Sequence, residues 1–304
     1  MVTHCEHRRA WSSVVLACLA FIVGGLAAGP AHAEPEPEPY LQTYGMPIGL
    51  TVGGAGLFLA AQQVDGGLHP LIGPGYTADA PHADIDHDYT AGEQVSKEAL
   101  ALGLGISFLA SPLLAVGEDD AWWVAHDGAL GFVGTVVSTL AITEVAKNAV
   151  GRLRPDYAGR VRHCAAHPTA GACEDGSLLA DGRKSFPSGH SSTAFAAATW
   201  LSLRLGGRFI WRDDSPTYAR IGAGAAAAGL LAGASYVAWT RVDDHWHNPS
   251  DVVTGGAIGV GMAAAWYFWL FDGQGKPRSR KRRSEGATMN LAVAPGMLTA
   301  AGTF

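Results

Sequence analysis

Six stretches of this chain carry no Asp, Glu, Lys or Arg at all: 48–61, 99–117, 128–143, 191–203, 221–240 and 252–271. They are built mostly from Ala, Gly, Leu and Val. None alternates in the two-residue rhythm of a half-buried strand, and all are long enough for helices. Their many small residues let helices approach closely. The expected fold is therefore all-α, a six-helix bundle formed by a single domain over 46–272, followed by a basic tail and C-terminal extension over 273–304. Only 16 % of the 304 residues are charged, and the net charge is -6. That balance excludes a nucleic-acid binder, which would present a basic face.

Crossing a bilayer takes about 20 apolar residues. Segments 221–240 and 252–271 reach that length, 99–117 nearly does, and 191–203 and 48–61 do not. Trp122, Trp123, Trp239 and Trp269 lie near segment ends, where aromatic belts form. These features favour a membrane-embedded bundle. A mean hydropathy of +0.13 is low for six spans, so a soluble periplasmic bundle is the alternative.

The N-terminus points to export. His7-Arg8-Arg9 precedes an apolar run over 14–28 and then Ala31-His32-Ala33, the layout of a signal peptide over 1–33 cleaved before Glu34. An uncleaved anchor is the other reading. Cleavage removes Cys5 and Cys18 and leaves Cys164 and Cys173 in a polar loop, a pair suited to a disulfide in an oxidising compartment. Residues 34–45 read as an acidic, proline-rich extended spacer. The tail from Lys276 to Arg283 and the connection over 204–220 are basic and share one side of the bundle. The positive-inside rule sets that side in the cytoplasm and the opposite ends in the periplasm of a bacterial-type inner membrane. Parity then requires one early segment not to span, and 48–61 is the expected one. The loop over 62–97 holds Asp79, His82, Asp84, Asp86, His87 and Asp88, but without a fixed ligand spacing it reads as an exposed hydrophilic loop. The apolar end over 289–304 suggests no function.

Polar residues gather in three clusters at segment ends. Lys147 and Arg154 stand two helical turns apart, so both are expected on one face at the end of the third helix, which Pro155 stops. Arg152 reads as solvated. Ser188 and Gly189 open the fourth helix: Ser188 can cap it, Gly189 admits close approach, and the free amides with the dipole make an anion site. His190, in that first turn, is placed to protonate a leaving oxygen. Arg241 and His247 follow the fifth helix, and Asp251 lies in the first turn of the sixth after Asn248-Pro249. Asp251 is expected to accept a hydrogen bond from His247 and fix its tautomer. Each cluster alone has an ordinary structural explanation, from dipole complementation to capping. In an alternating bundle, however, all of these helix ends lie together, and the inventory can hold a phosphate and break its ester without a metal.

K-x6-R-P over Lys147 to Pro155, P-S-G-H over Pro187 to His190 and R-x5-H-x3-D over Arg241 to Asp251 closely resemble, in that order, the type 2 phosphatidic acid phosphatase superfamily. That group includes bacterial acid phosphatases and vanadium haloperoxidases. The resemblance covers roughly 128–271. It departs at Thr240, where the family usually has Ser. It implies a phosphohistidine mechanism: His247 attacks phosphorus, Asp251 orients it, and His190 protonates the leaving alcohol and then activates water. Lys147, Arg154, Arg241 and the Ser188-Gly189 amides would hold the phosphoryl oxygens. The implied substrate is a phosphorylated lipid, such as phosphatidate, phosphatidylglycerol phosphate or an isoprenyl diphosphate, with no metal and no cofactor. The alternatives are a soluble periplasmic acid phosphatase, a haloperoxidase that binds vanadate, and a non-catalytic anion-binding membrane scaffold.

Overall fold

The computed structural model describes residues 37–64, 91–118, 121–169, 171–279, 289–294 and 297–302. The segment 1–33 read as a signal peptide and the Asp79 to Asp88 cluster lie outside the described residues. Six long helices form the bundle: α1 (Pro37–Gln62), α2 (Ala91–Leu113), α3 (Ala121–Val150), α7 (Gly189–Leu205), α8 (Thr217–Asp243) and α9 (Pro249–Leu270). Each is built on one of the apolar stretches, though α2 and α9 stop short of the ends of theirs. Three short helices, α4 (Tyr157–Ala166), α5 (Gly171–Glu174) and α6 (Ser177–Asp181), fill the connection from α3 to α7. A disulfide joins Cys164 to Cys173 there, with Cα atoms 5.1 Å apart. A π-helical turn over Gly206–Ile210 ends α7. In the C-terminal extension, β1 (Met289–Ala294) and β2 (Met297–Gly302) pair as an antiparallel hairpin.

α3 is the enclosed axis. Val133, Val136 and Val137 on it meet Phe58 of α1, Trp200 of α7 and Trp266 of α9 in one core cluster. The two tryptophans bury their rings yet keep their donors satisfied: Trp200 Nε1 donates to Ser111 Oγ at 3.1 Å and Trp266 Nε1 to Ser138 Oγ at 3.2 Å. α8, by contrast, lies at the outside, with Tyr218, Ile221, Tyr236 and Trp239 exposed. An apolar helix that exposes such residues is dressed for hydrocarbon rather than water.

Four helices are long and apolar enough to cross a membrane among the described residues: Thr43–Gln62, Ala121–Val150, Thr217–Asp243 and Pro249–Leu270. The helix through 48–61 is thus longer than the apolar stretch suggested and reaches spanning length. The helix there begins at Pro37, inside the segment read as an extended spacer, because Tyr40 and Tyr44 pack on α3. Tyr44 is buried and stacks on Trp123 at 6.0 Å, and the Tyr40 hydroxyl pairs with His126 Nε2 at 2.9 Å. Pro37 and Pro39 sit in the first turn, where a missing N–H matters least. The helices that fall short are α2, with an apolar part of Leu100–Ser111, and α7.

The tightest crossing positions the polar ends. α9 runs against α7 through Gly255 and Gly259. A Cβ on Gly255 would stand 2.5 Å from the Ser188 carbonyl oxygen, and one on Gly259 would run into that of Ser192. Small residues four apart thus bring the two helix N-termini into contact, and Ser188 N donates to Asp251 O at 3.0 Å.

Candidate active site

The three clusters meet at one end of the bundle, and a buried carboxylate ties them together. Asp251, in the first turn of α9, is 0 % exposed. Its Oδ2 accepts from the Ser185 hydroxyl at 2.6 Å and from the Asn248 amide at 2.9 Å, which closes the N-terminal turn of α9. Its Oδ1 accepts from Arg152 Nη1 at 2.6 Å. Arg152 also donates to Ser250 Oγ at 2.7 Å and is itself buried. The expectation that Arg152 is solvated is therefore overturned. A buried carboxylate needs a cation, and the guanidinium reaches it from the loop after α3.

The expected hydrogen bond from His247 to Asp251 is replaced by another. His247 Nδ1 lies 3.7 Å from Asp251 Oδ2, too far for a hydrogen bond, and 2.7 Å from the Ser185 carbonyl oxygen. A carbonyl only accepts, so Nδ1 carries the proton and Nε2 presents its lone pair. Arg154 Nη1 stands 3.4 Å from that Nε2. Asp251 acts at one remove, since it fixes Ser185 through the hydroxyl while the carbonyl of the same residue fixes the imidazole.

Backbone turns aim the remaining groups. α3 stops at Val150, earlier than expected, because Gly151 takes a positive φ of 62° suited to a helix C-terminus. Arg154 is thus placed by the following loop and not by the helix face it was expected to share with Lys147. Its amide donates to Gly182 O at 2.8 Å, and its guanidinium to Trp246 O at 3.2 Å and to Asp181 Oδ1 at 3.1 Å. After α8, His245 adopts φ 55°, and the chain doubles back until the Trp246 and His247 amides both reach Arg241 O, at 3.1 and 3.0 Å. The Trp246 ring then lies among three guanidinium groups, those of Arg160, Arg241 and Arg154, at 5.2, 5.3 and 5.6 Å from its centroid. Ser188 caps α7, with its Oγ accepting from Ser191 N at 3.5 Å. Gly189 and His190 follow in the first turn, and a Cβ on Gly189 would stand 3.2 Å from Lys147 Nζ. Lys147 therefore lies against the helix N-terminus where an anion would dock. Among the described residues, no three His, Cys, Asp or Glu side chains gather as a metal-ligating group.

The profile of the PAP2 superfamily matches residues 128–274. Phospholipid phosphatase 2 of Bos taurus is 33 % identical over 62 % of this chain and 67 % of its own length. The chain belongs to the PAP2 superfamily. Diacylglycerol pyrophosphate phosphatase 1 of Saccharomyces cerevisiae is 30 % identical over 62 % of this chain and 68 % of its own, and Lipid phosphate phosphatase 2 of Arabidopsis thaliana is 34 % identical over 48 % and 51 %. The chain thus spans about half the length of the Arabidopsis relative. No solved structure matches it significantly. In this PAP2 member the polar site extends well beyond the three motifs. From sequence Arg152 reads as solvated, and Ser185, Asp181 and Trp246 gain no role there, nor does Glu144, which bridges Lys147 and Lys184 at 3.2 Å each. Only Trp246 carried a local signal, as a large aromatic residue in an otherwise polar turn.

Burial dominates the titration of His247, pushing its pKa down to about 3, and the Arg154 and Arg241 charges push the same way against the pull of Asp251. The unfolded chain protonates this ring near its ordinary value, about 6.5, while the native ring stays neutral. Stability from this group is therefore complete above about pH 6.5 and is lost as pH falls toward 3. Between pH 6.5 and 4.5 the loss is expected to be about 2 to 3 kcal/mol. Thermal unfolding of the detergent-solubilised chain across that range checks it, with His247→Asn expected to flatten the acid slope.

Proposed function

We propose that this chain is a membrane phosphatase that removes phosphate from a lipid phosphate or diphosphate by way of a phosphohistidine. The observation that carries the reading is the His247 imidazole, whose tautomer is set by the Ser185 carbonyl so that its Nε2 lone pair faces the Arg154 guanidinium. Nε2 attacks phosphorus, the bond from phosphorus to the lipid oxygen breaks, and His190 gives that oxygen a proton. His190 then takes a proton from water, whose oxygen attacks the phosphohistidine and releases inorganic phosphate. Lys147, Arg154, Arg241 and the amides of the Ser188-Gly189 turn offset the charge that develops on the phosphoryl oxygens. These cations perform the charge stabilisation that a metal supplies elsewhere, so the reaction needs none.

The names of the relatives, which include lipid phosphate and diacylglycerol pyrophosphate phosphatases, support a lipid substrate. The exposed apolar face of α8 favours this over a soluble acid phosphatase. The Cys164–Cys173 disulfide and the basic tail support a site on the periplasmic side of an inner membrane. The test is phosphate release by the full chain from phosphatidate, phosphatidylglycerol phosphate, an isoprenyl diphosphate and water-soluble monoesters, with and without EDTA. Release from at least one lipid, unaffected by chelation, is expected. Release from soluble esters alone, or loss of activity with EDTA, overturns the reading.

A further inference from the structure

Glu144 is an anomaly in a site built to hold an anion. It lies on α3 one turn before Lys147, nearly buried, and its two oxygens hold different ammonium groups: Oε2 that of Lys147 and Oε1 that of Lys184, both at 3.2 Å. Lys184 also donates to Val64 O at 3.1 Å, which anchors it at the end of α1. Lys147 in turn lies against Gly189 at the start of α7. A full negative charge therefore stands one hydrogen bond behind an ammonium that faces the anion position. It works against phosphate affinity, because like charges in a partly dehydrated site repel strongly.

We propose that Glu144 is a counter-charge that weakens the hold of the site on inorganic phosphate and so speeds product departure, and that Lys184 tempers it. Lys147, Arg154, Arg241 and the α7 N-terminus together would retain a free phosphate dianion; the carboxylate subtracts from that attraction. Lys184, paired with the other carboxylate oxygen, offsets part of the subtraction. Glu144 and Lys184 act through Lys147 and are positioning residues. The inference rests on the reading above that this site takes a phosphoryl group.

Titration calorimetry of inorganic phosphate onto the detergent-solubilised full chain at pH 8 tests it directly. Glu144→Gln is expected to bind phosphate about tenfold more tightly than the wild type, and Lys184→Met severalfold more weakly. Opposite signs are the signature, since a merely structural role for the trio would loosen binding in both variants. Equal or weaker binding by Glu144→Gln overturns the inference, as does tighter binding by Lys184→Met. Glu144→Asp keeps the charge and is expected to stay within about twofold of the wild type; a large tightening there also overturns it. Opposed shifts in a chain that hydrolyses no lipid phosphate would sink the phosphatase reading alone. Parallel shifts in an active enzyme would sink the counter-charge alone.

Discussion

Replacement of His247 by alanine is expected to lower phosphate release by at least about a thousandfold, because the proposed covalent intermediate forms on its Nε2. The loss should fall on kcat, with the cations proposed to bind phosphate still in place. His190→Ala is expected to behave differently according to the leaving group. With an alkyl phosphate, both halves of the reaction lack their proton carrier. With p-nitrophenyl phosphate the departing phenolate needs no proton, so His247 is still phosphorylated and the adduct accumulates. Radiolabel held on the protein, stable to base and released by acid, is the measurement. Turnover by His247→Ala at the wild-type rate would remove this imidazole from the mechanism.

Arg152→Ala carries the largest expected effect on folding. Asp251 is buried and held by Arg152 Nη1 at 2.6 Å, and truncation leaves the carboxylate without its cation. Breaking a buried pair from one side costs roughly 3–5 kcal/mol. The thermal midpoint in detergent should fall by many degrees, and Arg152→Lys should restore part of it as a charge without the fork geometry. Activity should fall with it, since Asp251 steadies Ser185 and Ser185 steadies His247. An unchanged midpoint would mean that the serine and the Asn248 amide suffice to hold the carboxylate.

The helices were legible because their apolar stretches are free of charge, and the site because three spaced motifs fall on helix ends. What the sequence hid were partners made by the fold. Arg152 sits between two motif residues and carries no mark of its partner in α9, so it reads as one more solvated arginine. His247 and Asp251 stand four apart, a spacing that suggests a direct bond; helix capping instead turns the carboxylate toward Asn248 and Ser185. Lys147 and Arg154 suggest one helix face, yet Gly151 ends the helix between them. The start of α1 was concealed by composition, because prolines and glutamates outweigh Tyr40 and Tyr44, whose burial against α3 decides it.

Asp251 gathers Arg152, Ser185 and the Ser188 amide from earlier stretches of chain, and it belongs to the last helix of the bundle. During synthesis, these three partners from earlier stretches therefore lack their common anchor until residue 251 has been added. A chain ending before that point would carry Arg152, Ser185 and the Ser188 turn without the residue that clasps them.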